Sequence, residues 1–297
     1  MGLLNGEKEN KVIKQDLKEK AEFQNLFMVR LLFKEKPVKP QAPYIKKCLE
    51  EKFGEVEIIS ADELLTSFSI NKYKVQYQDC MMPPQVLLMD VSEFDSSLIG
   101  DIQRSQLWNV DNPQELLDSC KYSLRISDMM AAGLYYKERC EMLMDYLEAA
   151  VEMFPDCSAV WIESSGKMFT AEQIRNHNIP REDRFVYFAV NARFFNIEVS
   201  GDMIVDTLGM YAVGLPDVQY HFHDLDPNDV VNHAYNTAAY IFENEAPIKS
   251  GETIDGLKNG VMSMDVQWKC AYEVSLIQPQ RDIMDICPGE YASGTRE

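Results

Sequence analysis

Residues 133–154 place Tyr136, Cys140, Leu143, Leu147, Val151 and Phe154 at separations of 4, 3, 4, 4 and 3. That is the period of an α-helix with one broad apolar face, and Pro155 stops it. A helix of this kind needs a partner layer over its stripe. Short β-rich runs stand on both sides of it, so the layer expected is a sheet. Strands are predicted at 27–33, 56–59, 73–77, 86–90, 122–126 and 159–162. Val86-Leu-Leu-Met-Asp90 is a continuous apolar run and reads as a buried central strand. Helices are predicted at 40–53, opened by Pro40 and closed by Gly54, and from Asn112 with Pro113 in first position.

The second part repeats the alternation. A helix is predicted near 170–177, then strand regions at 184–198 and 203–223. Asp226, Pro227 and Asp229 open a helix that runs to about Asn244;. Gly251 to Gly256 reads as a turn, and strands at 266–275 and 282–286 close the chain. The expected class is α+β, with antiparallel-rich sheets in two ferredoxin-like (split βαβ) halves. The expected divisions are a charged arm at 1–24, a first half at 25–110 and a second half at 111–297.

Charge narrows the function. The 297 residues carry 29 basic and 48 acidic groups, a net charge of −19 with 46% hydrophobic residues. Residues 1–60 are slightly basic, so the acidity lies beyond them. Nucleic acid and anionic membranes repel such a chain, so neither is an expected partner. No basic start followed by an apolar stretch marks a secretory leader, and Gly6 stands where a myristoylation pattern wants Ser or Thr. The seven cysteines are widely spread with no C-x-x-C pair, which points to free thiols in a reducing cytoplasm;.

Three clusters carry chemistry-bearing residues. Within 219–233, His221 and His223 share one face of a predicted strand, and His233 lies two turns into the next helix;. With Asp224 or Asp226 they would make a zinc or iron set if the helix folds back onto that face. The competing reading is that Asp226 caps its helix and the histidines are satisfied structural residues. Arg175, His177, Arg181 and Arg184 concentrate base in an acidic region. They would take a carboxylate or phosphate, or else pair with local acids such as Glu182 and Asp183. Ser164-Ser-Gly-Lys167 follows a strand but lacks the spacing of a phosphate loop, and reads as a surface turn. Met129, Met130 and Met142 to Met144 read as core.

Several stretches resemble bacterial proteins of the family catalogued as domain of unknown function 4261. They are IVDTLGMYAVGLPDVQYHFH at 204–223, DPNDVVNHAY at 226–235 and SGETIDG at 250–256, with ISDMM at 126–130 and AVWIESSGK at 159–167. The resemblance spans about 120–290. It implies a soluble bacterial protein and structural roles for the Gly-Leu-Pro and Gly-Glu-Thr turns. It implies no activity, cofactor or catalytic residue. The expected function is therefore a non-enzymatic interaction protein that offers an acidic surface to a basic partner. The alternative is a metal-dependent hydrolase or metal-binding protein using His221, His223 and His233.

Overall fold

The structure, a computed structural model, describes residues 27–77 and 80–294. The charged arm expected at 1–24 lies outside the described residues. The described chain falls into two compact units. The first holds the chain to Asn191 plus Leu208–Gly214, and the second holds Ala192–Thr207 and the chain from Leu215.

The first unit is built on strands β1 (Met28–Phe33), β2 (Val56–Ala61), β3 (Leu65–Ile70), β6 (Gln85–Glu93), β7 (Tyr122–Met129), β8 (Ala159–Ile162) and β9 (Lys167–Thr170), with β4 (Val75–Tyr77) and β5 (Cys80–Met82) forming a separate hairpin. The sheet order is β2-β3-β6-β7-β1-β8-β9. Its helices are α1 (Ala42–Phe53), α2 (Asp101–Arg104), α3 (Pro113–Ser119), α4 (Tyr136–Met153), α5 (Ala171–Arg175) and α6 (Arg184–Ala189). β1 is apolar at nearly every position because both of its faces are covered. Phe33 meets Phe154 edge-on at 5.7 Å on one face. Leu32 packs with Trp161, Phe94 and Leu117 on the other.

α4 buries twelve of its eighteen residues, as befits a helix with sheet on one side and α1, α5 and α6 around it;. The long periodic segment is thus the central helix of its unit. β6 is less buried than expected: Val86 and Leu88 point inward and the rest are half-buried or exposed. Residues 184–189, expected as strand, form α6. Phe185 and Phe188, three apart, turn to the core while Arg184 anchors to α4, and this outweighs the β-rich composition;.

The second unit has strands β10 (Asn191–Asn196), β11 (Met203–Leu208), β12 (Asp217–Phe222), β13 (Thr253–Lys258), β14 (Val261–Val274) and β15 (Asp282–Cys287), ordered β10-β11-β12-β15-β14-β13. The region expected as one strand at 203–223 is two, split by a 3-10 turn at Met210–Val213. Gly209 sits there at φ 142, where a Cβ would fall 2.2 Å from the Ala189 carbonyl oxygen, so no other residue fits;. The turn expected at 251–256 lies mostly inside β13. α7 (Pro227–Glu243) begins as the sequence indicates, with Asp226 accepting a hydrogen bond from Asn228 N at 2.9 Å;.

The class is α+β with antiparallel-rich sheets. The split βαβ order is not seen in the first sheet, because both neighbours of β1 run antiparallel to it. In the second, one parallel pair joins β12 to β15 with α7 in the connection. A division near residue 110 would fall within the first sheet, since β7 pairs with both β6 and β1.

Candidate functional site

β12 alternates, and its two faces have different chemistry. Val218, Tyr220 and Phe222 turn one way, Asp217, Gln219 and His221 the other;. The apolar stripe of α7 covers the first face, so His233 meets Tyr220 there. The Asp255 carbonyl oxygen accepts from His233 Nε2 at 2.8 Å. Nδ1 is therefore the unprotonated nitrogen, and it accepts from the Tyr220 hydroxyl at 2.8 Å;. Burial pushes the His233 imidazole below its ordinary value, which favours this neutral form;.

His221 points to the opposite face, with Nε2 3.7 Å from Asp202 Oδ2. His223 is half-exposed beside Asp224, at 3.2 Å. The expected metal set of His221, His223, His233 and Asp224 is therefore not assembled. α7 packs on the apolar face of β12, and His221 and His223 face away from it. Among the described residues, no group of three or more His, Cys, Asp or Glu side chains is placed to hold a metal ion.

The arginine cluster is also divided among structural tasks. Arg175 Nη2 donates to the carbonyls of Phe154 and Pro155, each at 3.0 Å, and closes the end of α4;. Arg184 pairs with Asp145 at 2.7 Å and with Glu148. Half-exposed Arg181 reaches Asp145 at 2.8 Å and Glu141 at 3.2 Å. The acids that neutralise them lie on α4, not at Glu182 and Asp183. Burial alone would raise the Glu148 carboxyl, but Arg184, Lys52 and His177 outweigh it and hold it below the usual range. His177 accepts from Ile179 N at Nδ1 and meets Glu148 through Nε2 at 3.2 Å.

Beside this cluster lies an open groove of about 420 Å³, lined by Thr170, Gln173, Asn176, His177, Asn178 and Tyr187 among others. Both His177 nitrogens are engaged elsewhere, so the groove offers amides, hydroxyls, the Glu172 carboxylate and one aromatic face. The Ser164-Ser-Gly-Lys167 turn is buried and not at the surface. Lys167 donates to the carbonyls of Val190, at 2.8 Å, and of Tyr187, at the end of α6. Burial pushes its amine down to about 7;. Met142 and Met144 are core, whereas Met129 is exposed.

A buried ionic network in the second unit has no counterpart among the sequence expectations. Register sets Asp206 opposite Gln219, and Gln219 opposite Asp285, on one face of three adjacent strands. Arg193 grips Asp206 with two bonds, at 2.8 and 2.5 Å. Arg281 joins Asp206 at 2.9 Å to Asp217 at 3.0 Å. Burial works against the Arg281 charge, but Asp217 and Asp206 more than compensate and raise it above its ordinary value. Acids in the middle of apolar strands were the available signal, since a buried carboxylate demands a partner.

None of the seven cysteines is in a disulfide. Among the described residues no helix is long and apolar enough to cross a membrane. No curated protein and no solved structure matches the chain. Residues 206–287, from Asp206 in β11 to the end of β15, match the family described as Domain of unknown function (DUF4261).

Proposed function

We propose that the protein is a non-enzymatic interaction module of a reducing, cytoplasmic compartment, and that its second unit binds a basic protein partner. One observation carries this reading. Arg193 and Arg281 are buried and committed to Asp206 and Asp217, so they add nothing to the surface of that unit. Its described surface is left with three lysines against thirteen exposed or half-exposed carboxylates. A surface this one-sided attracts cations from a distance and speeds encounter with a basic partner. The unbridged thiols support the compartment.

The experiment is capture of binders from the native host, followed by titration of the purified complex against salt. Affinity is expected to fall steeply between roughly 50 and 300 mM, where the Debye length shrinks from about 14 to 6 Å. An acidic partner, or affinity indifferent to salt, would refute the reading.

A further inference from the structure

The β13–β14 hairpin runs past the end of its own sheet. β15 pairs with 269–274 of β14, so among the described residues 261–268 pair only with β13. The two-residue turn Asn259–Gly260 has positive φ at both positions, 53° and 78°, as a tight hairpin requires;. The tip carries three exposed apolar side chains within four positions: Val261 at 68%, Met262 at 42% and Met264 at 81%. Met264 and Asp265 stand on a bulge, because the ladder steps from Asp255↔Gln267 to Gly256↔Ser263.

The tip is also held in place. His233 donates to the Asp255 carbonyl, Asn236 Nδ2 lies 3.9 Å from Met262 Sδ, and the Asp229 carboxylate fills the space where a Cβ at Gly260 would stand. Tyr240, one turn beyond Asn236 on α7, is 49% exposed and continues the same face;. Scattered exposed apolar residues are ordinary, but this anchored turn carries three within four positions, with Met262 on the α7 side and Val261 on the opposite face;. The Asp229 carboxylate lies against Gly260 and Asp255 is linked through Gln267 to the Met264 carbonyl, while Asp265 and Lys258 neutralise each other at 2.6 Å.

We propose that this hairpin tip is the docking point for a partner segment that carries both cationic and apolar side chains. The proposal rests on the acidic-surface reading above and gives it a location. Charge complementarity selects the occupant. The Asp229 and Asp255 carboxylates repel an acidic segment or a second copy of the same tip. Lysine or arginine heads meet those carboxylates while their stems and apolar neighbours cover Val261, Met262 and Met264.

The test uses the full chain and a short labelled lysine–leucine peptide, with a glutamate–leucine peptide as control. Hydrogen exchange locates binding and fluorescence anisotropy measures it. The lysine peptide is expected to protect amides of 256–267, and the control is not. Val261→Ser with Met264→Ser should weaken affinity about tenfold at an unchanged melting temperature. Protection elsewhere on the acidic surface, with affinity unaffected by the double variant, overturns the docking point and leaves the acidic-surface reading standing. Absence of lysine-peptide binding at low salt overturns both. Protection of 256–267 in the protein alone that is lost on dilution would assign the tip to a second copy, and also overturns the proposal.

Discussion

Replacing Arg281 with Met removes a charge and five hydrogen bonds from a site that water does not reach. Nε lies 3.0 Å from Asp217, and Nη2 lies 2.9 Å from Asp206 and 2.6 Å from the Thr207 carbonyl oxygen. Nη1 reaches the carbonyls of Pro279 at 2.9 Å and Ile277 at 3.3 Å. Asp206 keeps Arg193, but Asp217, fully buried, loses its arginine and keeps the Thr207 hydroxyl at 3.2 Å. Breaking a buried ion pair from one side costs about 3–5 kcal/mol. With a urea slope of about 2 kcal/mol per M, the unfolding midpoint of the second unit should fall by about 1.5–2.5 M. Fluorescence of Trp268, buried in that unit, reports the transition. Adding Asp217→Asn to Arg281→Met should cost less than the sum of the two single changes, because it removes the stranded charge. A midpoint shift under about 0.25 M, the size expected of a surface substitution, or simple additivity, would refute the reasoning.

Two further outcomes follow from the packing. Leu147→Asp, on the buried centre of α4, should cost several kcal/mol and unfold the first unit, whereas half-buried Lys137→Asp should shift stability by less than about 1 kcal/mol; equal thermal shifts would contradict the burial of that face;. His233 protonates less readily folded than unfolded, so its contribution is present above about pH 6.5 and is lost as pH falls below it; the urea midpoint of the second unit should drop towards about pH 5.5, and His233→Asn should flatten that slope;.

Local order was legible where one short-range rule decided it. α4 and α7 follow from apolar spacing and from Pro155 or the Asp226 cap. The opposite facing of Tyr220 and His221 follows from strand alternation alone. What failed depended on distant partners. Residues 184–189 look like strand until Asp145 and Glu148, more than thirty positions earlier, fix Arg184 on a helix. The histidine set required α7 to cover the polar face of β12. The apolar stripe of α7 instead follows Val218, Tyr220 and Phe222 to the other side. Asp206 and Asp217 were conspicuous inside apolar runs, but nothing local named Arg281, which lies 75 positions beyond Asp206.

The course of the chain between the units bears on how such a protein is inherited. It leaves the first unit after Asn191, returns at Leu208, and leaves again after Gly214. A recombination breakpoint at any of these crossings gives one product a piece that belongs to the other unit. The stretch matched at family level begins at Asp206, so if transplanted alone it would carry that carboxylate without Arg193 and without β10. The shortest continuous inheritance that keeps Arg193 with Asp206 runs from residue 192, and it necessarily brings Leu208–Gly214 of the first unit along with it.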